Sequence, residues 1–333
     1  MTTIDIRIFQ YLDTPKMVQL LNENAEYFQI AKKATIEEFT QFLNEPGEEI
    51  KENTFVALVG DKVIAYQSLC FVKSDEHINV YSYGTVHHQY RRKGVGTLLL
   101  ERTFKHLTQR AERENKKIIY NHMVRVNQKG QKELANKFRL KKNTDLLAFE
   151  WINSNQIPIK PLLPSGYSFI TPSQKNAEEW AQIDNEAFSW RNNHDEITQE
   201  SVIYEFNSLE FSSDYYILCL KENNEPVGFV CGIEEGPHHA VISTLAVRPR
   251  FQGRGIGKAL LHEVMYRMKV NRIEKIRLSV DANNPSSAIK LYEKSGFTLE
   301  NRIIHYMYEI EPLKELDTGN CKPIIKNLLR SAL

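Results

Sequence analysis

The chain predicts an α+β fold class: two tandem copies of one domain, each a mixed, mostly antiparallel sheet with one central parallel pair and flanking helices. Three observations carry that expectation. First, a glycine-rich basic loop occurs twice, as Arg91-Arg92-Lys93-Gly94-Val95-Gly96 and as Gln252-Gly253-Arg254-Gly255-Ile256-Gly257. Each copy follows an apolar run through a valine (Val86, Val247), so the two stand 161 residues apart. That offset is one domain's worth of chain and too long for a solenoid unit. Second, the stretch from Asn153 to Gly166 holds Pro158, Pro161 and Pro164, a stiff connector that continues neither strand nor helix. Third, the hydrophobic pattern on either side of that connector runs through the same order of elements.

In the second half Tyr167–Ile170 reads as a short strand, and Lys175–Phe188 places Ala177, Trp180, Ala181, Ile183, Ala187 and Phe188 at helical spacing. Thr198 caps a second helix running to Asn207. Tyr215–Leu220 and Val227–Gly232 flank Glu222-Asn223-Asn224-Glu225-Pro226 and form a hairpin. Ala240–Val247 is the strand entering the loop. The helix Ile256–Val270 leaves it, with Ile256, Leu260, Leu261, Val264 and Met268 facing inward. A strand at Ile276–Val280, a helix through Leu291 and a strand at Phe297–Ile310 complete the order β-α-α-β-β-β-α-β-α-β. The first half repeats it, with strands near Ile4–Tyr11, Phe55–Val59, Val63–Phe71, Ile78–Val86, Lys117–His122 and Thr144–Ile152. The expected domains are 1–153 and 166–311, joined by 154–165. An extension, 312–333, carries a helix-period apolar face in Pro323–Arg330.

The loop has the chemistry of a phosphate site. A helix N-terminus presents unpaired N–H groups and the positive end of its dipole, and glycines let the backbone approach an anion closely. Arg250, Arg254 and Lys258 add charge around it. Two commoner phosphate motifs are absent. Gly257-Lys258 is followed by Ala259 rather than the Ser or Thr of a P-loop, and Gly253, Gly255 and Gly257 are evenly spaced, unlike a dinucleotide fingerprint.

Gln252-x-x-Gly255-x-Gly257 and Arg91-x-x-Gly94-x-Gly96 resemble the coenzyme A pyrophosphate loop of the GNAT superfamily of acyl-CoA-dependent N-acyltransferases. Downstream, Asn284 with Ala288-Ile289-Lys290-Leu291-Tyr292 and Gly296-Phe297 resembles that superfamily's second signature. The resemblance covers nearly all of the chain except the last twenty or so residues. It implies two GNAT-like domains whose central parallel strands splay apart, with acetyl-CoA as co-substrate and a small-molecule or peptide amine as acceptor. Two tandem copies with the active one second resemble the mycothiol synthase type.

By the same resemblance the cofactor contacts fall on Leu245, Ala246, Val247, Gln252, Gly253, Arg254, Gly255, Ile256, Gly257, Lys258 and Asn284. In the first half they fall on Val86, Arg91, Arg92, Lys93, Gly94, Val95 and Gly96. A backbone N–H near Leu245 or Ala246, at a bulge, is expected to face the thioester carbonyl. Tyr292 is the candidate acid, since a phenol is protonated at neutral pH and can supply the departing thiolate. The strand before the loop has no carboxylate. Glu234 and Glu235, ending the neighbouring strand, could serve as base through ordered water, Glu234 being the candidate, with His238 and His239 as lesser ones and direct loss of the proton to water as a further route. Aligning Asn127 with Asn284 puts Ala135 opposite Tyr292 and Arg139 opposite Gly296, so the first half keeps a loop and lacks the acid.

At 333 residues the chain suits two domains of about 150 residues. A formal charge of +1 implies no bulk attraction to nucleic acid or to a membrane, and the chain is expected as a monomer or homodimer. Cys70, Cys219, Cys231 and Cys321 show neither pairing nor metal spacing, so no metal is expected, and three of them sit in apolar runs as buried thiols. With no signal sequence at Met1–Asp5, a cytoplasmic location is expected. A non-catalytic acyl-CoA sensor is the alternative to an enzyme, distinguished by whether an amine releases free CoA.

Overall fold

A computed structural model of the chain describes residues 3–30, 32–126, 130–152, 163–191 and 195–312. Most of the connector and nearly all of the 312–333 extension lie outside the described residues. The first half runs β1 (Asp5–Ile8), α1 (Thr14–Tyr27), α2 (Ile36–Leu43), β2 (Thr54–Val59), β3 (Lys62–Lys73), β4 (His77–Val86), α3 (Val95–Glu114), β5 (Lys117–Arg125), α4 (Gln131–Lys137) and β6 (Lys141–Ile152). The second half repeats it as β7 (Tyr167–Ile170), α5 (Ala177–Phe188), α6 (Gln199–Phe206), β8 (Ile217–Lys221), β9 (Pro226–Glu234), β10 (His239–Val247), α7 (Ile256–Val270), β11 (Lys275–Asp281), α8 (Ala288–Lys294) and β12 (Thr298–Ile310). No described helix is long and apolar enough to cross a membrane.

Local signals repeat as faithfully as the order does. Thr35 and Thr198 each begin a helix with a capping box. Thr35 Oγ1 accepts from Glu38 N at 3.1 Å, and Thr198 Oγ1 accepts from Ser201 N at 3.1 Å. The expected inward face of α7 is buried throughout, from Ile256 to Met268. Each such side chain contributes about 1.5–3 kcal/mol by leaving water.

The sequence reading gave each half its own closing strand; the structure does not. All twelve strands form one sheet in the order β1-β2-β3-β4-β5-β12-β6-β11-β10-β9-β8-β7. The last strand of each half has crossed into the other. Strand β12 pairs antiparallel with β5 over Ile303–Ile310, and β6 pairs antiparallel with β11 over Leu146–Ile152. The two exchanged strands also pair with each other, Thr298–Met307 against Glu150–Lys141. Their side chains therefore complete the opposite core: Tyr306 and Ile310 join Leu99, Leu107 and Tyr120, while Phe149 and Trp151 join Leu260, Val264 and Leu278. Helices α3 and α7 pack on that face of the sheet, and α1, α2, α5 and α6 pack on the other.

The halves also meet on the second face. Tyr204 Oη donates to Gln41 O at 2.6 Å, and Lys32 pairs with Glu210 at 2.7 Å. Asp195 reaches across to accept from Asn79 Nδ2 (2.7 Å) and Tyr81 Oη (2.5 Å) of β4.

Because each core holds a strand of the other, unfolding should be a single calorimetric transition. Ala148 lies between Ser279 and Asn301 in the exchanged strand, and Ala148→Pro removes a central ladder donor. It should lower that transition as a whole by several degrees; a second transition left at the original temperature would show independent halves.

Candidate functional site

In each half the central parallel strands pair at one end and then separate. Pairing of β10 with β11 runs from His239/Lys275 to Ile242/Leu278, yet β10 continues to Val247 and β11 to Asp281. Pairing of β4 with β5 ends at Tyr81/Asn121, with β4 continuing to Val86. A wedge-shaped gap opens beyond these points, and the glycine loop stands at its wide end.

The backbone assigns the gap's donors and acceptors. Arg248 N donates to Val227 O at 2.9 Å, so residue 248 faces β9, and by strand alternation Ala246 and Thr244 do too. Leu245 and Val247 then turn their N–H and C=O groups into the gap. Val247 O accepts from Gln252 Nε2 at 3.0 Å, and Val86 O accepts from Arg91 Nε at 3.2 Å in the first half, so Gln252 and Arg91 brace their loops in the same way. Ala246, expected at the cofactor, is instead held in the ladder against Phe229 with its side chain in its own half's core on the α5–α6 face of the sheet. The bulge sits between Ile242 and Thr244, earlier than the Leu245–Ala246 position expected. Bulges need no particular residue type, so nothing in the sequence marked it. In the first half β4 keeps unbroken register against β3.

The loops share one shape. Gly255 (φ 84°) and Gly94 (φ 83°) precede α7 and α3 in the left-handed region. Gly253 (φ 75°) is matched by Arg92 (φ 62°), a conformation that favours glycine. Neither Gly253 nor Gly94 has any atom near a built Cβ, so the dihedral rather than crowding calls for glycine. The first turn of α7 presents the amides of Ile256, Gly257 and Lys258, with Ala259 N making the first bond to Gly255 O at 3.0 Å. A Cβ on Gly257 would lie 3.7 Å from Val247 and 4.0 Å from Leu291, so strand, loop and α8 converge there. Arg254 stays over the Phe251 ring at 5.2 Å, and in the first half Lys93 lies over Tyr90 at 5.5 Å. Buried Arg248 ties the loop's start to Glu186 of α5 and to Pro226 O. Asn284 Oδ1 accepts from Ser286 N (2.8 Å) and Ser286 Oγ (2.6 Å), closing the turn into α8.

Tyr292 lies on α8, buried between Phe149 and Phe297 with ring centroids 6.4 and 6.0 Å away. Its hydroxyl has no hydrogen-bond partner among the described residues, and burial pushes its pKa up to about 12. Ala135 holds the equivalent place in the first half, and Arg139 (φ 55°) takes the left-handed position of Gly296 (φ 89°). A different phenol, Tyr120, lies in the first half. It accepts from Gln67 Nε2 at 3.0 Å and donates to Ser82 Oγ at 3.0 Å, so its proton is already committed.

Glu234 is not brought to the gap. It pairs with Ala240, where the strands are still joined, and accepts from Tyr215 Oη at 3.0 Å. Tyr215 Oη in turn accepts from Asn271, the residue capping the far end of α7, at 3.0 Å. A helix of 15 residues separates that end from the loop, about 22 Å. His238 is at the same end, against Arg272 O at 2.9 Å, and Glu235 is paired with Arg277. A feature the sequence reading missed is the carboxylate-lined junction of the halves on the second face. Burial and neighbouring Glu45 push Glu48 up to about 7, and burial pushes Asp184 up to about 6. Glu45 of the first half also faces Glu205 and Glu210 of the second, far apart in sequence, where Tyr204 and Leu209 bond Gln41. No group of three or more potential metal ligands occurs among the described residues.

The sequence profile of the acetyltransferase (GNAT) family matches residues 16–134 and 177–297. Mycothiol acetyltransferase of Corynebacterium glutamicum is 26% identical over 284 residues, covering 83% of this chain and 87% of that protein. The [ribosomal protein bS18]-alanine N-acetyltransferase of Haemophilus influenzae is 35% identical over 107 residues, 31% of this chain and 70% of its own. Among solved structures, a GCN5-related N-acetyltransferase from Sphaerobacter thermophilus superposes with a TM-score of 0.70 at 23% identity, covering 95% of this chain and 98% of that one. A tandem GNAT protein from the clavulanic acid biosynthesis pathway gives 0.70 at 15% identity, covering 94% and 100%. With both halves matched by one family profile and a two-copy fold shared with these structures, the chain belongs to the GNAT family, as an N-acyltransferase that uses an acyl-CoA co-substrate and an amine acceptor.

Proposed function

We propose that this chain moves an acetyl group from acetyl-CoA to the primary amine of a small molecule, with the chemistry in the second half. The observation that carries the assignment is an asymmetry between the halves: Tyr292 of α8 shares a core with Val247 and Leu278 of the strands flanking the second gap and makes no hydrogen bond among the described residues, while the first half has Ala135 at the equivalent place. The bulge at Ser243 occurs in the second half and not in β4. A small-molecule acceptor is favoured by the mycothiol acetyltransferase relative, which aligns over most of both chains. Buried free thiols at Cys70, Cys219 and Cys231 suit a reducing compartment such as the cytoplasm.

In this reading the pyrophosphate of acetyl-CoA sits on the α7 N-terminus, with Gly253, Arg254, Gly255, Ile256, Gly257 and Lys258 around it. Val95 and Gly96 stand at the equivalent place on α3. The pantetheine arm lies along Leu245 and Val247, and the Leu245 N–H polarises the thioester carbonyl. The acceptor enters from the acidic junction, whose carboxylates favour a cationic amine, and sheds its proton to solvent before attack. The amine nitrogen bonds to the carbonyl carbon and loses its second proton to solvent, the carbon–sulfur bond breaks, and the leaving thiolate takes the Tyr292 proton. Water then reprotonates the phenolate. Glu234 has no part in this scheme.

Acetyl-CoA should raise the melting temperature of the native chain. Gly255→Glu, which meets the pyrophosphate with a like charge at a left-handed position, should abolish turnover, whereas Gly94→Glu should leave most of it. The reverse pattern would place the chemistry in the first half.

Steady-state kinetics of Tyr292→Phe test the acid. The ring and its packing remain, so KM for acetyl-CoA should hold while kcat falls by about 10²–10⁴. An ordinary phenol deprotonates near pH 10. With Tyr292 pushed up to about 12, wild-type kcat should show no alkaline loss from this group through about pH 10. Near-normal kcat in a folded Phe variant removes Tyr292 from the mechanism.

A further inference from the structure

We infer that the first half builds the second half's active site directly: its exchanged strand β6 positions Tyr292, through Phe149 and Trp151 with Thr144 and Asp145. The inference rests on the proposed role of Tyr292 as the acid. Helix α8 has only seven residues, too few to hold a shape alone, so its placement follows from what it packs on.

Three successive contacts, all from β6, seat it. At the near end Ala282 N donates to Asp145 O at 2.8 Å, Thr144 Oγ1 donates to Asp281 Oδ1 at 2.8 Å, and Asn283 Nδ2 donates to Thr144 Oγ1 at 3.1 Å. In the middle the Phe149 ring lies against Tyr292 itself, 6.4 Å between centroids. At the far end the Trp151 indole fills the space beside Gly296, where a built Cβ would stand 3.3 Å from both Cδ1 and Nε1. Between these points β6 is locked to β11 residue by residue, from Leu146/Asp281 to Ile152/Lys275.

The reciprocal strand makes the same gesture without the same consequence. Tyr306 and Tyr308 of β12 pack into the first core with Leu134 and Ala135 of α4, where there is no acid to place. Phe149 and Trp151 are thus positioning residues for a proton donor carried by the other half. Their effect should pass through the Tyr292 hydroxyl rather than through cofactor binding.

A double-mutant cycle on the full chain tests this, with kcat, KM for acetyl-CoA and melting temperature recorded for each variant. Phe149→Leu keeps an apolar filler and loses the ring that orients Tyr292. It should lower kcat about tenfold, as a small misplacement of a catalytic group does, and leave KM within about twofold. In the Tyr292→Phe background, where no proton remains to be aimed, the same substitution should have no further effect on kcat. An equal fold-loss in both backgrounds, or no loss in the first, would reduce Phe149 to packing and overturn the inference. Tyr292→Phe at wild-type kcat would instead overturn the acid assignment, and the positioning role with it. Should Phe149→Leu fail to fold, Trp151→Phe enters the same cycle with the same expected pattern and the same overturning results.

Discussion

Strands β6 and β12 lie antiparallel at the middle of the sheet, and each is bound on its other side by a strand of the opposite half. Had each strand closed its own half, two separate sheets would have met through surface contacts, and interfaces of that kind permit relative motion. The exchange replaces such an interface with continuous backbone ladders and with side chains that belong to the other core. It also explains why the two gaps keep a fixed relation. The strands flanking them, β4 with β5 and β10 with β11, are members of one sheet whose centre is the exchanged pair.

The two gaps illustrate how one backbone holds unequal sets of side chains. Both loops have a left-handed glycine at the helix start, and both have a long polar side chain bracing a valine carbonyl. The differences lie in what the side chains have free. In the first half, Gln67 donates to Tyr120 and Tyr120 to Ser82, a network that commits the Tyr120 proton. In the second half Leu278 stands at the position of Tyr120, and Tyr292 reaches the same core from α8.

Much of this was legible in the residues. The helix Ile256–Val270 ends where its pattern ends, since its apolar face and flanking loop agree. Arg139 falls opposite Gly296, and both adopt positive φ, so the alignment of the two halves holds even where side chains differ completely. The exchange was not legible. Strands β6 and β12 carry similar alternation, and alternation states which face a residue takes but not which edge a strand joins. The bulge at Ser243 left no mark for the same kind of reason: it is a property of register between two strands. Glu234 is a candidate in the sequence because it ends the strand next to the loop strand. The turn at Gly236 returns that strand antiparallel, so sequence neighbours at 234 and 240 sit at the closed end of the wedge.

These constraints together account for a first half that keeps its fold while the side chains around its gap differ from those of the second. The second core cannot be completed without Phe149 and Trp151, nor β11 covered without residues 146–152. The strand that provides them is held in place by β12, and β12 by β5, so the demand reaches through the whole first-half sheet. No such demand falls on the residue above the first gap. Ala135 is fully buried and fits its core, and a larger side chain there would have to compete with Phe138 and Leu134 for the same space. Backbone positions are therefore kept in both copies even where the residue suits them poorly, as Arg92 and Arg139 do at left-handed dihedrals. The side chains around the two gaps are left free to differ, as Tyr292 and Ala135 do.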